Sequence, residues 1–123
     1  MRRITSAVII VSLLWAARPV LAHHSYADYD RTERYALRGI ITDIHWANPH
    51  ILFTVNDGAS DTRIEWITLT GAEKTSVAQD QFTVGDEVVV IGSRNRNPAV
   101  NIMTVIKELH LPAKNWQWVV PTP

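Results

Sequence analysis

The sequence contains no cysteine, so disulfides, thiolate metal sites and thiol nucleophiles are all excluded. A domain of this size must then be held by its core alone. Methionine is nearly as scarce, with only Met1 and Met103 present, which leaves little for soft thioether ligation. Neither sign of charge dominates, since 12 Lys and Arg balance 12 Asp and Glu. The apolar run from Ala7 to Ala17 is broken by Ser12 and stopped by Arg18 and Pro19, about half of the ~20 residues that a bilayer span needs. Glycines fall singly at positions 39, 58, 71, 85 and 92, so no phosphate-cradling loop is present.

What is present at the start has the form of an export signal. Arg2 and Arg3 precede the apolar run, and Val20-Leu21-Ala22 sets β-branched and small residues at the −3 and −1 positions of a signal peptidase site. The reading predicts a signal peptide over 1–22, a mature chain beginning at His23, a periplasmic location and no membrane span after cleavage. Losing Arg2, Arg3 and Arg18 leaves nine basic residues against twelve acidic ones, a net charge near −3. That balance offers no field for phosphate backbones, which argues against nucleic acid as a partner.

The mature chain reads as a polar lead (23–34), one barrel domain (35–112) and a loosely ordered tail (113–123), in which Trp116 and Trp118 pack back. Tyr35 to Trp46 alternates, with Ile40, Ile44 and Trp46 assigned to one face and Ile41, Asp43 and His45 to the other. Ile51, Phe53 and Val55 continue the pattern up to Asn56-Asp57-Gly58, a turn signal. Further strands are expected at Arg63 to Thr70, Val88 to Ile91 and Ile102 to Leu111, with a turn at Val84-Gly85-Asp86 and one short helix between Gly71 and Gln81. Five strands and a helical connector predict an all-β, five-stranded OB-like Greek-key barrel rather than a seven-stranded sandwich.

All five histidines lie beyond the leader: His23, His24, His45, His50 and His110. If Ala47-Asn48 are the central turn residues, His45 faces His50 and Ile44 faces Ile51, and the two imidazoles become cross-strand neighbours with Cβ atoms about 5 Å apart. A chain starting at His23 would add its α-amine and first imidazole, with His24 beside them. Such a nitrogen-rich, thiol-free set favours copper(II), with zinc and nickel as competitors. His110 is expected to face solvent. Asp28, Asp30 and Glu33 read as a solvated lead or as partners that orient an imidazole. Ser25 beside His24 makes no nucleophile and base, since neighbours on an extended chain point apart. The alternative reading is a binding module without metal that uses Trp46, Trp66, Trp116 and Trp118 as a stacking surface, with an unidentified periplasmic protein or small ligand as partner.

Three segments carry a resemblance: "AHHS" at Ala22 to Ser25, "GIITDIHWANPH" at Gly39 to His50 and "VGDEVVVIG" at Val84 to Gly92. Together they resemble a family of small exported bacterial proteins of unknown function, marked by an Ala-His-His-Ser signal-peptide end and a Trp-x-Asn-Pro-His hairpin. The resemblance implies a periplasmic, OB-like barrel and no particular activity. Tyr26, Asp28 and Asp30 fit its pattern, whereas Trp116-x-Trp118 departs from it. Export with cleavage predicts that amino-terminal sequencing of the secreted protein starts at His23, and a start at Met1 would refute the leader.

Overall fold

A computed structural model describes residues 26–123 of the chain. The expected leader, with His23 and His24, lies outside the described residues. Six strands and one helix follow in order: β1 (Tyr35–His45), β2 (Leu52–Asn56), β3 (Asp61–Glu65), α1 (Leu69–Lys74), β4 (Glu87–Arg94), β5 (Ile102–Leu111) and β6 (Trp116–Val119). β1 pairs antiparallel with both β2 and β4, β2 with β3, and β4 with β5. A short parallel contact, Arg63 to Ile102 and Ile64 to Met103, joins β3 to β5 and closes the ring. The result is the expected mostly β, closed five-stranded barrel with one short helix.

β1 serves both halves of that ring. Its first part, Tyr35 to Ile40, pairs with β4, and its second part, Ile40 to His45, pairs with β2. At the changeover sits Gly39, where a Cβ would stand 2.3 Å from the Asn56 carbonyl oxygen. No side chain fits there. Three residues on, the β1–β2 register shifts between Ile41 and Asp43, so Thr42 is an inserted residue and the strand's alternation changes phase.

That shift corrects the predicted hairpin. Leu37 and Ile41 point inward, Ile40 is 43% exposed, and Ile41 is fully buried. Ile40 and Ile44 therefore do not share a core face. His45 faces Leu52, not His50, and Ile44 faces Phe53, not Ile51.

The other turns follow their residues. Gly58 takes φ +95° while the Asn56 side chain accepts its N–H at 2.9 Å, and the Asp57 carboxylate accepts from Ala59 and Ser60. Gly85, at φ +101°, turns the chain into β4. β3 ends at Glu65, short of the expected Thr70, because Thr68 caps α1 by accepting the Gly71 N–H at 3.0 Å. The helix starts before Gly71 and buries one of its residues, Ala72.

β6 was expected as loose tail. It pairs antiparallel with the last four residues of β5, from Glu108–Val119 to Leu111–Trp116, and Trp118 is buried. Its partner is the β5 edge beyond the reach of β3, which pairs with β5 only at Ile102 and Met103.

One aromatic cluster fills the end of the barrel where β1 ends and β6 begins. Phe82 is its hub, with centroids 5.0 Å from Phe53, 5.1 Å from Trp116, 5.6 Å from Trp66 and 5.8 Å from Trp46. Trp66 meets Trp118 edge-on at 5.2 Å. Removing the hub would leave a cavity bounded by four rings, so Phe82→Ala is expected to lower the unfolding free energy by about 3–5 kcal/mol. Urea denaturation measures this, and a loss below about 1 kcal/mol would show that the cluster does not organise this end.

Candidate functional site

The histidine-bearing loop connects β1 to β2 through Trp46-Ala47-Asn48-Pro49-His50-Ile51, with a cis peptide between Asn48 and Pro49. Trp46 packs against the core at one end of this loop and Ile51 is fully buried at the other. The Ile51 N–H donates to the Ile67 carbonyl and its carbonyl accepts from Trp66 N–H, both at 2.9 Å. The β2 ladder thus continues one residue beyond the strand. With Ile51 turned inward, His50 stands on the outer side, two residues before Leu52.

His45 is exposed and His50 half-buried. They remain on one face, since His45 lies across from Leu52 and His50 precedes it by two. The relation is diagonal rather than direct, a spacing of about 7–8 Å in a regular ladder. Leu52 also pairs with Glu65, so His45, Leu52 and Glu65 form one row across the outer face. Arg63 approaches Glu65 at 3.6 Å.

The lead docks onto the barrel, and its acids are structural. Tyr29 forms a bridge with Asn95 and is buried, Asp28 and Asp30 carbonyls accept from Arg96 N–H (2.8 Å) and Ser93 Oγ (2.7 Å), and Lys107 Nζ donates to the Glu33 carbonyl at 2.6 Å. The Asp30 carboxylate accepts from Thr32 N–H and Oγ1 at 2.9 and 2.7 Å. Glu33 takes the Arg94 backbone N–H at 2.8 Å and its guanidinium at 2.6 Å. Exposed ion pairs contribute about 0–1 kcal/mol each, whereas burying an aromatic ring contributes about 1.5–3 kcal/mol. Tyr29 is therefore the main anchor. Burial raises its phenol pKa, opposed next by Asn95, with the Glu65 and Asp28 carboxylates adding smaller upward pushes.

His110 departs from its expected solvent-facing position. It is half-buried, and its Nε2 lies 2.9 Å from Glu108 Oε2, while Glu108 also receives Arg34. The tryptophans do not form an exposed stacking face. Trp66 and Trp118 are each 6% exposed, and Trp46 and Trp116 pack on the core. Among the described residues no group of three or more His, Cys, Asp or Glu stands ready to hold a metal, and no helix is long and apolar enough to cross a membrane.

A feature that the sequence reading missed is a cleft of about 510 Å³ at the opposite end of the barrel, where the lead, the β2–β3 turn and the β4–β5 loop converge. Its walls come from three segments far apart in sequence, which leaves no local motif. A family model described as a family of unknown function (DUF6152) matches residues 10–103, and no curated protein matches the chain.

The Glu33 and Glu108 carboxyls are both held below the ordinary glutamate range, Glu33 by hydrogen bonds from Arg94 and Glu108 first by His110 and then by Arg34. Lowered folded-state pKa values stabilise the fold at pH above the unfolded glutamate value of about 4.3, and that contribution is lost as pH falls through the folded values. Urea midpoints measured at pH 6, 4.5 and 3 should fall with pH, and the fall should be shallower in Glu33→Gln. An identical pH profile for that variant would show that the Arg94 contact contributes nothing.

Proposed function

The chain belongs to this family of unknown function, and from that premise we propose that it is an exported, periplasmic barrel that binds a transition-metal ion, copper(II) in first place. The ligands are His23, through both its imidazole and its freed α-amine, His24, His45 and His50. One observation carries the reading: His45 lies across from Leu52 on the outer face, in the same strand row as Glu65, and His50 stands two residues before Leu52. Two histidines on a stiff hairpin end supply part of a site. The α-amine and imidazole of His23, with His24, supply the rest.

The chemistry of these donors selects the metal. Imidazole and amine nitrogens rank copper(II) above nickel and zinc by intrinsic affinity. Thiolates are absent from the sequence, and Met103, the one methionine beyond the leader, is buried in β5. Copper(I) thus lacks its preferred sulfur ligands. Metal binding displaces protons from nitrogen donors, so affinity should fall as pH drops. The cyclic strand order β1-β2-β3-β5-β4 supports the OB-like Greek-key description. Storage, delivery or sensing of the ion would each need a protein partner in the same compartment.

Copper(II) titration of the chain beginning at His23 tests the proposal against the same chain carrying one extra alanine before His23. The extra residue displaces the amine from its imidazole and is expected to weaken binding at least about tenfold, or about 1.4 kcal/mol. Equal affinities would remove the terminal amine from the site. Unchanged affinity in the double variant His45→Ala, His50→Ala would remove the hairpin from it.

A further inference from the structure

The cleft at the far end of the barrel stands apart from the histidine row and has its own chemistry. Its volume, about 510 Å³, lies within the roughly 300–1,000 Å³ that small-molecule sites occupy. Leu37, Met103, Ile102 and Val100 give it apolar lining. Thr62 and Asn101 add polar groups.

The charges around this lining are unequal in what they can offer a ligand. Glu33 grips Arg94 through its guanidinium at 2.6 and 3.1 Å, and that guanidinium also lies 4.0 Å over the Tyr35 ring. Its charge is already answered. The Asp57 carboxylate is occupied by the Ala59 and Ser60 N–H groups, and the Asp30 carboxylate by Thr32. Arg96 differs. Its backbone is fixed by the hydrogen bond to the Asp28 carbonyl at 2.8 Å, yet among the described residues its guanidinium has no ion-pair partner within 4.0 Å. The Asp30 carboxylate acts on it only through space.

From this arrangement we infer that the cleft is a binding site for a small organic carboxylate, whose apolar body covers Val100 and Ile102 and whose carboxylate pairs with Arg96. A planar guanidinium takes a carboxylate through two parallel hydrogen bonds. Arg96 is the lining cation without an ion-pair partner among the described residues, so a ligand with a single carboxylate is expected to place it there. The apolar lining would give an inorganic anion nothing to cover, so the organic part of the ligand contributes the remaining affinity. Because the Arg96 backbone is already held, less ordering opposes binding than on a free loop.

The test uses the full mature chain with a metal chelator present, which separates it from the copper proposal. Benzoate and hexanoate are titrated by calorimetry and by amide chemical shifts, with benzyl alcohol and inorganic phosphate as comparisons. Saturable binding of at least one carboxylate is expected, with shifts at Ser60, Thr62 and Asn101 and with benzyl alcohol at least about tenfold weaker. Arg96→Gln, at an exposed position, should keep its melting temperature and lose about tenfold to a hundredfold in carboxylate affinity. Absence of saturable binding by both carboxylates would overturn the inference. So would equal binding of benzyl alcohol, preference for phosphate, or an Arg96→Gln variant that binds as the parent does.

Discussion

The architecture depends on one strand pairing with two neighbours that diverge. β1 must leave β4 and join β2 without breaking, and the sharp approach at Gly39 together with the inserted Thr42 allows it to do so. A regular strand would continue in one plane and leave β3 too far from β5 to pair. The bend brings those strands within reach, and two residue pairs are enough to complete the ring. Closure covers part of the edges that an open sheet of these strands would expose, and β6 takes the part of the β5 edge that β3 does not reach.

The same irregularity decides where chemistry can sit. Before Thr42 the odd-numbered residues of β1 face the core, and after it the even-numbered ones do, so His45 ends on the outer surface beside Leu52. The two ends of the barrel are consequently unlike. One is packed by aromatic rings around Phe82, with the histidine loop on its rim, and the other is left open because Glu33, Arg94 and the β4–β5 loop stand around it without filling it. Ring packing makes the first end rigid. At the second end Arg96 is the lining cation left without an ion-pair partner among the described residues.

Much of the barrel was legible from residue pattern. The Asn56-Asp57-Gly58 and Val84-Gly85-Asp86 turns are marked by glycines that do adopt positive φ, and Phe53 and Val55 alternate inward as the period of two requires. The register of the first hairpin was not legible. Nothing in Ile41-Thr42-Asp43 announces an inserted residue, because its cause is the distant demand that β1 serve two neighbours. β6 was hidden for a related reason: Trp116 to Val119 precedes prolines and reads as tail, and it becomes a strand only where β5 presents a free edge. Glu33 was read as part of a solvated acidic lead, yet its partner Arg94 lies 61 residues away.

What the chain alone determined was the set of available parts: no sulfur chemistry beyond two methionines, five histidines beyond residue 22, and short alternating segments that must close on each other to bury their apolar sides. These follow from composition and local periodicity, which any neighbourhood in the sequence carries with it. Tertiary structure alone decided which parts meet. It set His45 across from Leu52, joined Glu33 to Arg94 and left Arg96 facing an open cleft, because each of these outcomes depends on contacts between segments whose separation along the chain leaves no trace in either one.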